Sequence, residues 1–119
     1  MKRLSIFFMI CLLAACSKRD ILIDVDTSYV GLWVTSDVGS CARYINIESS
    51  GDARYYKGGV SVDCKENQLS KGVAKTDGEC IYIGSRSFPI KTIPVFNQTS
   101  QTWVMELEVN KETKEFIKL

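Results

Sequence analysis

Few residues of this 119-residue chain could carry acid–base or nucleophilic chemistry. The chain contains no histidine, so a catalytic triad built on imidazole is excluded. Two carboxylate pairs, Asp24 with Asp26 and Glu106 with Glu108, have the i, i+2 spacing that puts both groups on one face of a strand, as two-carboxylate catalysis requires. We interpret both pairs as solvated strand faces. The sequence therefore predicts that the protein is not an enzyme and uses no cofactor or metal.

The start of the chain has the pattern of a secretory signal. Lys2 and Arg3 form a positive start, residues 4–13 are an almost unbroken apolar run, and Ala14 and Ala15 are small. Because a helix needs about twenty apolar residues to cross a bilayer, this run predicts export rather than a membrane span. Cys16 follows directly, and its thiolate is the nucleophile that could form a stable thioether.

The segment Leu13-Ala14-Ala15-Cys16 resembles the lipobox of bacterial lipoproteins at all four positions. This resemblance implies cleavage between Ala15 and Cys16, a diacylglyceryl group on the Cys16 sulfur, and a lipid anchor in a membrane of the bacterial cell envelope. In that class an Asp after the lipidated Cys retains the protein on the inner membrane. Ser17 stands there instead, which favours the outer membrane. A plain signal peptide or an uncleaved apolar anchor is the alternative.

The implied organisation is a signal peptide over residues 1–15, a lipidated Cys with a tether over 16–28, and one small β domain over 29–119. Once Cys11 leaves with the signal and Cys16 is lipidated, Cys41, Cys64 and Cys80 remain. Three is odd, so an oxidising compartment predicts one disulfide with one cysteine left over. Strand parity favours Cys41 with Cys64, and Cys80 stays open as an alternative partner.

The β domain is predicted to be an antiparallel meander of about eight strands. Short β-branched and aromatic segments alternate with Gly, Asn, Asp and Ser clusters every eight to twelve residues or so. The predicted strands cover residues 30–35, 42–48, 53–64, 69–76, 79–84, 88–93, 102–109 and 114–119. Asp77-Gly78 is the strongest hairpin signal. A closed or nearly closed barrel would remove exposed edges, and a two-sheet sandwich is the alternative.

Gly31-Leu32-Trp33 looks like the G-x-W start of lipocalin-like barrels. The resemblance implies that Trp33 plugs the base of a barrel whose interior holds a small apolar ligand, with Trp33 and Trp103 as the candidate ligand or core residues. The alternative is that both indoles simply pack in the core. Lys57-Gly58-Gly59 lacks the following helix of a phosphate-binding loop, and we interpret it as a turn or bulge.

Charge and composition limit the partners. Without Lys2 and Arg3 the chain has 13 basic and 14 acidic residues, a formal charge of −1. Because the sequence contains no stripe of basic residues, we do not expect it to bind nucleic acid. Tyrosines on predicted strands, Tyr44, Tyr55, Tyr56 and Tyr82, could form a recognition surface or pack in the core. We therefore expect a membrane-anchored module that binds an envelope protein or polymer as an adaptor or inhibitor. A lipocalin-like carrier of a small apolar ligand is the alternative.

Overall fold

The computed structural model describes residues 21–35, 41–58 and 64–119. Ten strands and one 3-10 turn lie in these ranges. The strands are β1 Ile23–Asp24, β2 Gly31–Thr35, β3 Ala42–Ile47, β4 Asp52–Gly58, β5 Asn67–Val73, β6 Lys75–Thr76, β7 Cys80–Ile83, β8 Arg86–Asn97, β9 Thr102–Val109 and β10 Glu112–Lys118, and the 3-10 turn is Thr27–Tyr29. The predicted signal peptide and lipidated Cys16 lie outside the described residues.

The strands form one antiparallel sheet in the order β1-β6-β7-β8-β9-β10-β2-β3-β4-β5. The all-β antiparallel class is therefore confirmed, with ten strands in place of about eight. The difference comes from two short strands, β1 and β6, which have two residues each and pair with one another. Strand β1 belongs to the segment predicted as the tether, and it lies at one edge of the sheet.

The prediction of a closed barrel is wrong, because the sheet has two ends, β1 and β5. The reason lies at Ala74, the single residue between β5 and β6. Its N–H donates to the carbonyl of Gly51 at 2.8 Å, and beyond it the chain pairs with β7 instead of extending β5. Within the described residues no backbone ladder joins β5 to β7.

The two strands β5 and β7 nevertheless approach each other closely. The Ser70 hydroxyl on β5 donates to the Ile83 carbonyl on β7 at 2.6 Å. Gly72 faces Gly84 so closely that a Cβ on Gly72 would lie 2.8 Å from the Gly84 nitrogen. A side chain at position 72 would therefore force the two strands apart, and glycine permits the contact.

Alternating side chains from the long strands fill the interior of the curved sheet. The core members of lowest exposure are Trp33, Ile45, Tyr55, Ala74, Ile81, Ile83, Met105, Leu107 and Phe116, each 0% exposed. Burial of such side chains is the main source of stability, at about 25 cal/mol per Å² of apolar surface. One face of the sheet is therefore fixed as the inside, and the alternate residues face outward.

The turns follow the residues that predicted them. Asp77-Gly78 connects β6 to β7, and the Asp77 carboxylate accepts hydrogen bonds from the backbone N–H groups of Glu79 and Cys80, both at 2.9 Å. Asn97 stabilises the turn after β8 in the same way, because its side-chain oxygen accepts hydrogen bonds from the N–H groups of Thr99 and Ser100. These side chains replace backbone partners in tight turns.

Candidate binding surface

A continuous row of apolar and aromatic side chains crosses the outer face of the sheet. On β2, Val34 lies between the inward-facing residues Trp33 and Thr35, so its side chain faces outward. Each member of the row is directly opposite the next in the strand register. We call this set the outer row, which consists of Val95, Val104, Ile117, Val34, Tyr44 and Tyr56 in order across β8, β9, β10, β2, β3 and β4.

Every member of the outer row is at least partly exposed. Val95 at one end is 43% exposed. Leu32 lies two residues from Val34 on the same face, and its carbonyl accepts a hydrogen bond from the N–H of Leu119, which is 73% exposed. Among the described residues no helix covers this face. The outer row is thus an apolar strip on the surface, and contiguous strips of this kind mark interaction sites.

The end of the outer row is held rigid by stacking. The rings of Tyr44 and Tyr56 are parallel within 6°, with centroids 5.0 Å apart. The Arg54 guanidinium lies 4.8 Å from the centre of the Tyr56 ring. Burial raises the pKa of Tyr56, while the nearby Arg54 acts to lower it. Stacked rings held in this way offer contact area with little loss of side-chain entropy on binding.

The Arg54 side chain is itself held in place by neighbouring polar groups. Its Nε donates to Gln68 at 3.0 Å, and its Nη2 lies 3.4 Å from a Glu66 carboxylate oxygen. The cation above the Tyr56 ring is therefore fixed from two sides, and it continues the stack of Tyr44 and Tyr56.

Acidic residues flank the outer row on one side. Glu106 and Glu115 are directly opposite each other on β9 and β10. Each lies two residues along its strand from a member of the outer row, Val104 and Ile117 respectively, and so faces the same side of the sheet. Two like charges in a cross-strand pair repel each other. The Thr92 hydroxyl donates to Glu106 at 2.7 Å, whereas Glu115 is exposed. The strip therefore has a negative border.

The two tryptophans predicted as ligand or core residues meet around one lysine. Trp33 is fully buried, and its indole N–H donates to the Tyr29 carbonyl at 2.9 Å. Trp103 is 38% exposed and makes an edge contact with Phe96. The Lys118 ammonium lies 5.0 Å from the Trp33 ring centre and 5.2 Å from that of Trp103. The chain's own cation thus occupies the space between the indoles.

The carboxylate pairs do not converge on a common point. Asp24 forms a salt bridge with Lys75 at 2.6 Å. Asp26 accepts from the Thr27 N–H and begins the 3-10 turn. On β9, Glu106 accepts from the Thr92 hydroxyl. These contacts support a structural interpretation of each carboxylate.

The fourth carboxylate and the remaining tyrosines also make structural contacts. Glu108 lies 3.4 Å from the Lys91 ammonium. Tyr55 is fully buried and makes an edge contact with Phe88, and Tyr82 donates to Asp77 at 2.8 Å. Of the four tyrosines, only Tyr44 and Tyr56 lie in the outer row.

The predicted disulfide between Cys41 and Cys64 is confirmed, with Cα atoms 5.3 Å apart. It ties the residue before β3 to the segment before β5. Cys80 begins β7, is 1% exposed and is itself disulfide-bonded, so the expectation that one of these three cysteines is left over is wrong. Cys16, Ala15 and Gly59 lie outside the described residues.

Within the described ranges, no three His, Cys, Asp or Glu side chains come together as a metal site would require. No helix in those ranges has the length and apolar character of a membrane span. Comparison with protein-family models, with curated proteins and with solved structures found no match to this chain. The functional proposal therefore rests on the sequence and the geometry of the β domain.

Proposed function

We propose that this chain is a bacterial lipoprotein, cleaved before Cys16 and anchored by lipid on that cysteine, whose β domain is a binding module in the cell envelope. Leu13-Ala14-Ala15-Cys16 supports the anchor, and Ser17 supports sorting to the outer membrane. Two or three acyl chains at about 0.8 kcal/mol per buried methylene make such an anchor effectively permanent. The domain then acts close to the membrane as an adaptor or inhibitor.

The outer row is the observation that carries the binding role. Six side chains cross six adjacent strands, and strands lie about 4.8 Å apart, so the row is roughly 24 Å long. A standard interface buries about 800 Å² per partner, and a compact patch of that area is about as wide as the outer row is long. The row thus has the length of a protein interface and a rigid aromatic end.

The negative border identifies the chemistry of the partner. Glu106 and Glu115 lie beside the apolar strip, and Glu115 is exposed. A partner that covers the strip must bring a positive group to this border, because unpaired like charges in an interface are unfavourable. We therefore propose an envelope protein that presents an apolar surface bordered by Lys or Arg.

Site-specific photocrosslinking in cells tests this partner. A photoreactive residue replaces Val34 in the full chain, and a matched chain carries it at Ser87, an exposed position on β8 outside the row. We expect one discrete protein adduct from position 34 and none from position 87. The adduct should disappear when Tyr44→Glu is added. The same adducts from both positions, or none from either, would refute the proposed surface.

Fractionation tests the anchor separately from the surface. The wild-type chain should remain with the membranes after a high-salt wash, and Cys16→Ser should block lipidation, so that the chain keeps its signal or becomes soluble. The intact mass of the membrane form should equal residues 16–119 plus a diacylglyceryl group, with or without a third acyl chain on the new amine. A membrane form with the mass of residues 1–119 would instead establish an uncleaved apolar anchor.

A further inference from the structure

Two cations face each other near the ends of the neighbouring strands β3 and β4. Arg43 on β3 and Lys57 on β4 are direct cross-strand partners. They share strand parity with the buried residues Ile45 and Tyr55, so both belong to the inner side. Like charges placed directly opposite each other destabilise a sheet. This pair is therefore a cost to the fold unless an anion neutralises it.

Neither cation has a carboxylate partner among the described residues. The ion pairs of the same part of the chain include Arg54 with Glu66, Lys75 with Asp24, and Lys91 with Glu108. Arg43 and Lys57 are in none of those pairs. Two neighbouring cations that have no carboxylate partner in the described part of the chain favour an external anion as their ligand.

An open cleft of about 410 Å³ lies beside these two cations. Lys114 on β10 also lines it, and its ammonium lies 3.4 Å from the Glu112 carboxylate, so the described lining includes three cations and one carboxylate. Cys41 lines the cleft as well, and its disulfide to Cys64 ties down one side. The cleft is large enough for a phosphate group with a small organic substituent.

A buried tyrosine of the core is also influenced by cationic side chains. The Tyr55 hydroxyl is buried, with no hydrogen-bond partner among the described residues. Burial raises the pKa of Tyr55, but Arg43 and Arg86 both act to lower it. The Arg86 guanidinium lies 5.7 Å from the centre of the Tyr55 ring. Two guanidiniums thus act on one buried phenol, which is consistent with a site that attracts negative charge.

We propose that this cleft binds a phosphate group, with Arg43, Lys57 and Lys114 as its ligands. A guanidinium can bind two phosphate oxygens at once, and the two ammonium groups supply point charges. The site differs from a phosphate-binding loop, because the side chain of Lys57 and not the backbone of Gly58 provides the contact. The site lies near the ends of strands β3, β4 and β10, and none of its proposed ligands belongs to the outer row.

Calorimetry on the full chain in a non-ionic detergent tests the site. The probes are inorganic phosphate, glycerol 3-phosphate, dihexanoyl phosphatidic acid below its micelle concentration, and glycerol. The variant Arg43→Gln/Lys57→Gln removes the cation pair, and Lys71→Gln, an exposed lysine that does not line this cleft, is the matched control. We expect the double variant to bind phosphate at least tenfold more weakly and the control within twofold of wild type.

The probes also distinguish the source of the phosphate. Tighter binding of the two glycerol esters than of inorganic phosphate would indicate a lipid headgroup, and the reverse order would indicate the free ion. Phosphate should raise the melting temperature of wild type at constant ionic strength, because it binds the folded state, and should not raise that of the double variant. If the double variant does not fold, Lys57→Gln alone replaces it. Equal phosphate binding by wild type and variant, or binding by neither, would overturn the proposal.

Discussion

The Lys118 ammonium on the last strand lies 5.0 Å from the centre of the buried Trp33 ring on β2. It also donates to the Ser28 carbonyl at 3.0 Å, so it ties the last strand to the segment that precedes β2. Burial lowers the pKa of Lys118. The aliphatic part of the side chain passes over Gly31, where a Cβ would lie 3.1 Å from the Lys118 Cδ.

Replacing Gly31 should therefore weaken the fold. Its φ of +140° is rarely adopted by residues with a side chain, and the added Cβ would press on Lys118. We expect Gly31→Ala to lower the free energy of unfolding by about 1 to 3 kcal/mol, measured by urea denaturation. Gly58→Ala is the control, because a Cβ there would lie 3.6 Å from its nearest neighbour, an ordinary contact. Equal losses in both variants would contradict the packing described at Gly31.

Two buried tyrosines should respond in opposite ways to loss of the hydroxyl. The Tyr55 hydroxyl has no partner within the described chain, whereas the Tyr82 hydroxyl donates to Asp77 at 2.8 Å. An unpaired buried polar group costs about 1 to 3 kcal/mol. Tyr55→Phe should leave the free energy of unfolding unchanged or raise it, and Tyr82→Phe should lower it by about 1 to 2 kcal/mol. A clear loss in Tyr55→Phe would mean that the hydroxyl has a partner.

Asp77 should make stability depend on acid pH. Burial acts to raise its pKa, but hydrogen bonds from the Cys80 and Glu79 N–H groups and from the Tyr82 hydroxyl lower the pKa below the ordinary 3.8. Between 3.8 and that lower folded value the unfolded chain binds more protons. The stability due to Asp77 is therefore complete above pH 3.8 and lost as the pH falls through the folded pKa.

The variant Asp77→Asn removes this titration. It should be less stable than wild type at pH 7 by about 1 to 2 kcal/mol, and the difference should shrink as the pH falls below 3.8. Asp52→Asn, at an exposed position of the β3–β4 hairpin, is the control. Urea denaturation at several pH values between 2 and 7 or so measures both variants. A constant difference over that range would show that the charge of Asp77 is not responsible.

Loss of the Cys41–Cys64 disulfide should lower stability through the unfolded state. The bond joins residues 23 positions apart, and the chain-entropy model gives about 3 kcal/mol for a loop of this length. Cys41→Ala/Cys64→Ala should therefore lower the free energy of unfolding by about that amount. If a reductant destabilises wild type no more than it destabilises this variant, the bond is not a source of stability.

Strand positions were largely predictable because alternation of side chains is local. Strand β9 has the predicted bounds, since Trp103, Met105, Leu107 and Val109 alternate with polar or smaller residues. Strand β8 runs to Asn97, beyond the predicted end. Pro94 does not end the strand, because it lies where the pairing with β9 is irregular, and a proline without a backbone N–H is tolerated at such a position.

The sequence could not show whether the sheet closes into a barrel, nor which residues form the outer row. Both depend on the register between strands that are distant in the sequence. The turn at Asn110 and Lys111, with φ of 52° and 68°, lacks the glycine that usually marks such a hairpin. This turn fixes the pairing that brings Ile117 opposite Val104. Val34 and Ile117 are far apart in sequence yet directly paired. From the sequence alone, each of these residues is only one outward-facing strand residue among many, and its alignment with the others is not visible.

Native mass spectrometry tests most directly whether the domain binds through its surface or carries a ligand inside. The full chain is released from detergent in the gas phase, and its mass is compared before and after denaturation. The core is filled by the chain's own side chains, so we predict that the two masses, each including the covalent lipid, agree apart from inorganic ions or a phosphate compound bound at the cleft. A stoichiometric apolar molecule that has no phosphate group and is lost on denaturation would contradict the surface-binding account and support a lipocalin-like carrier.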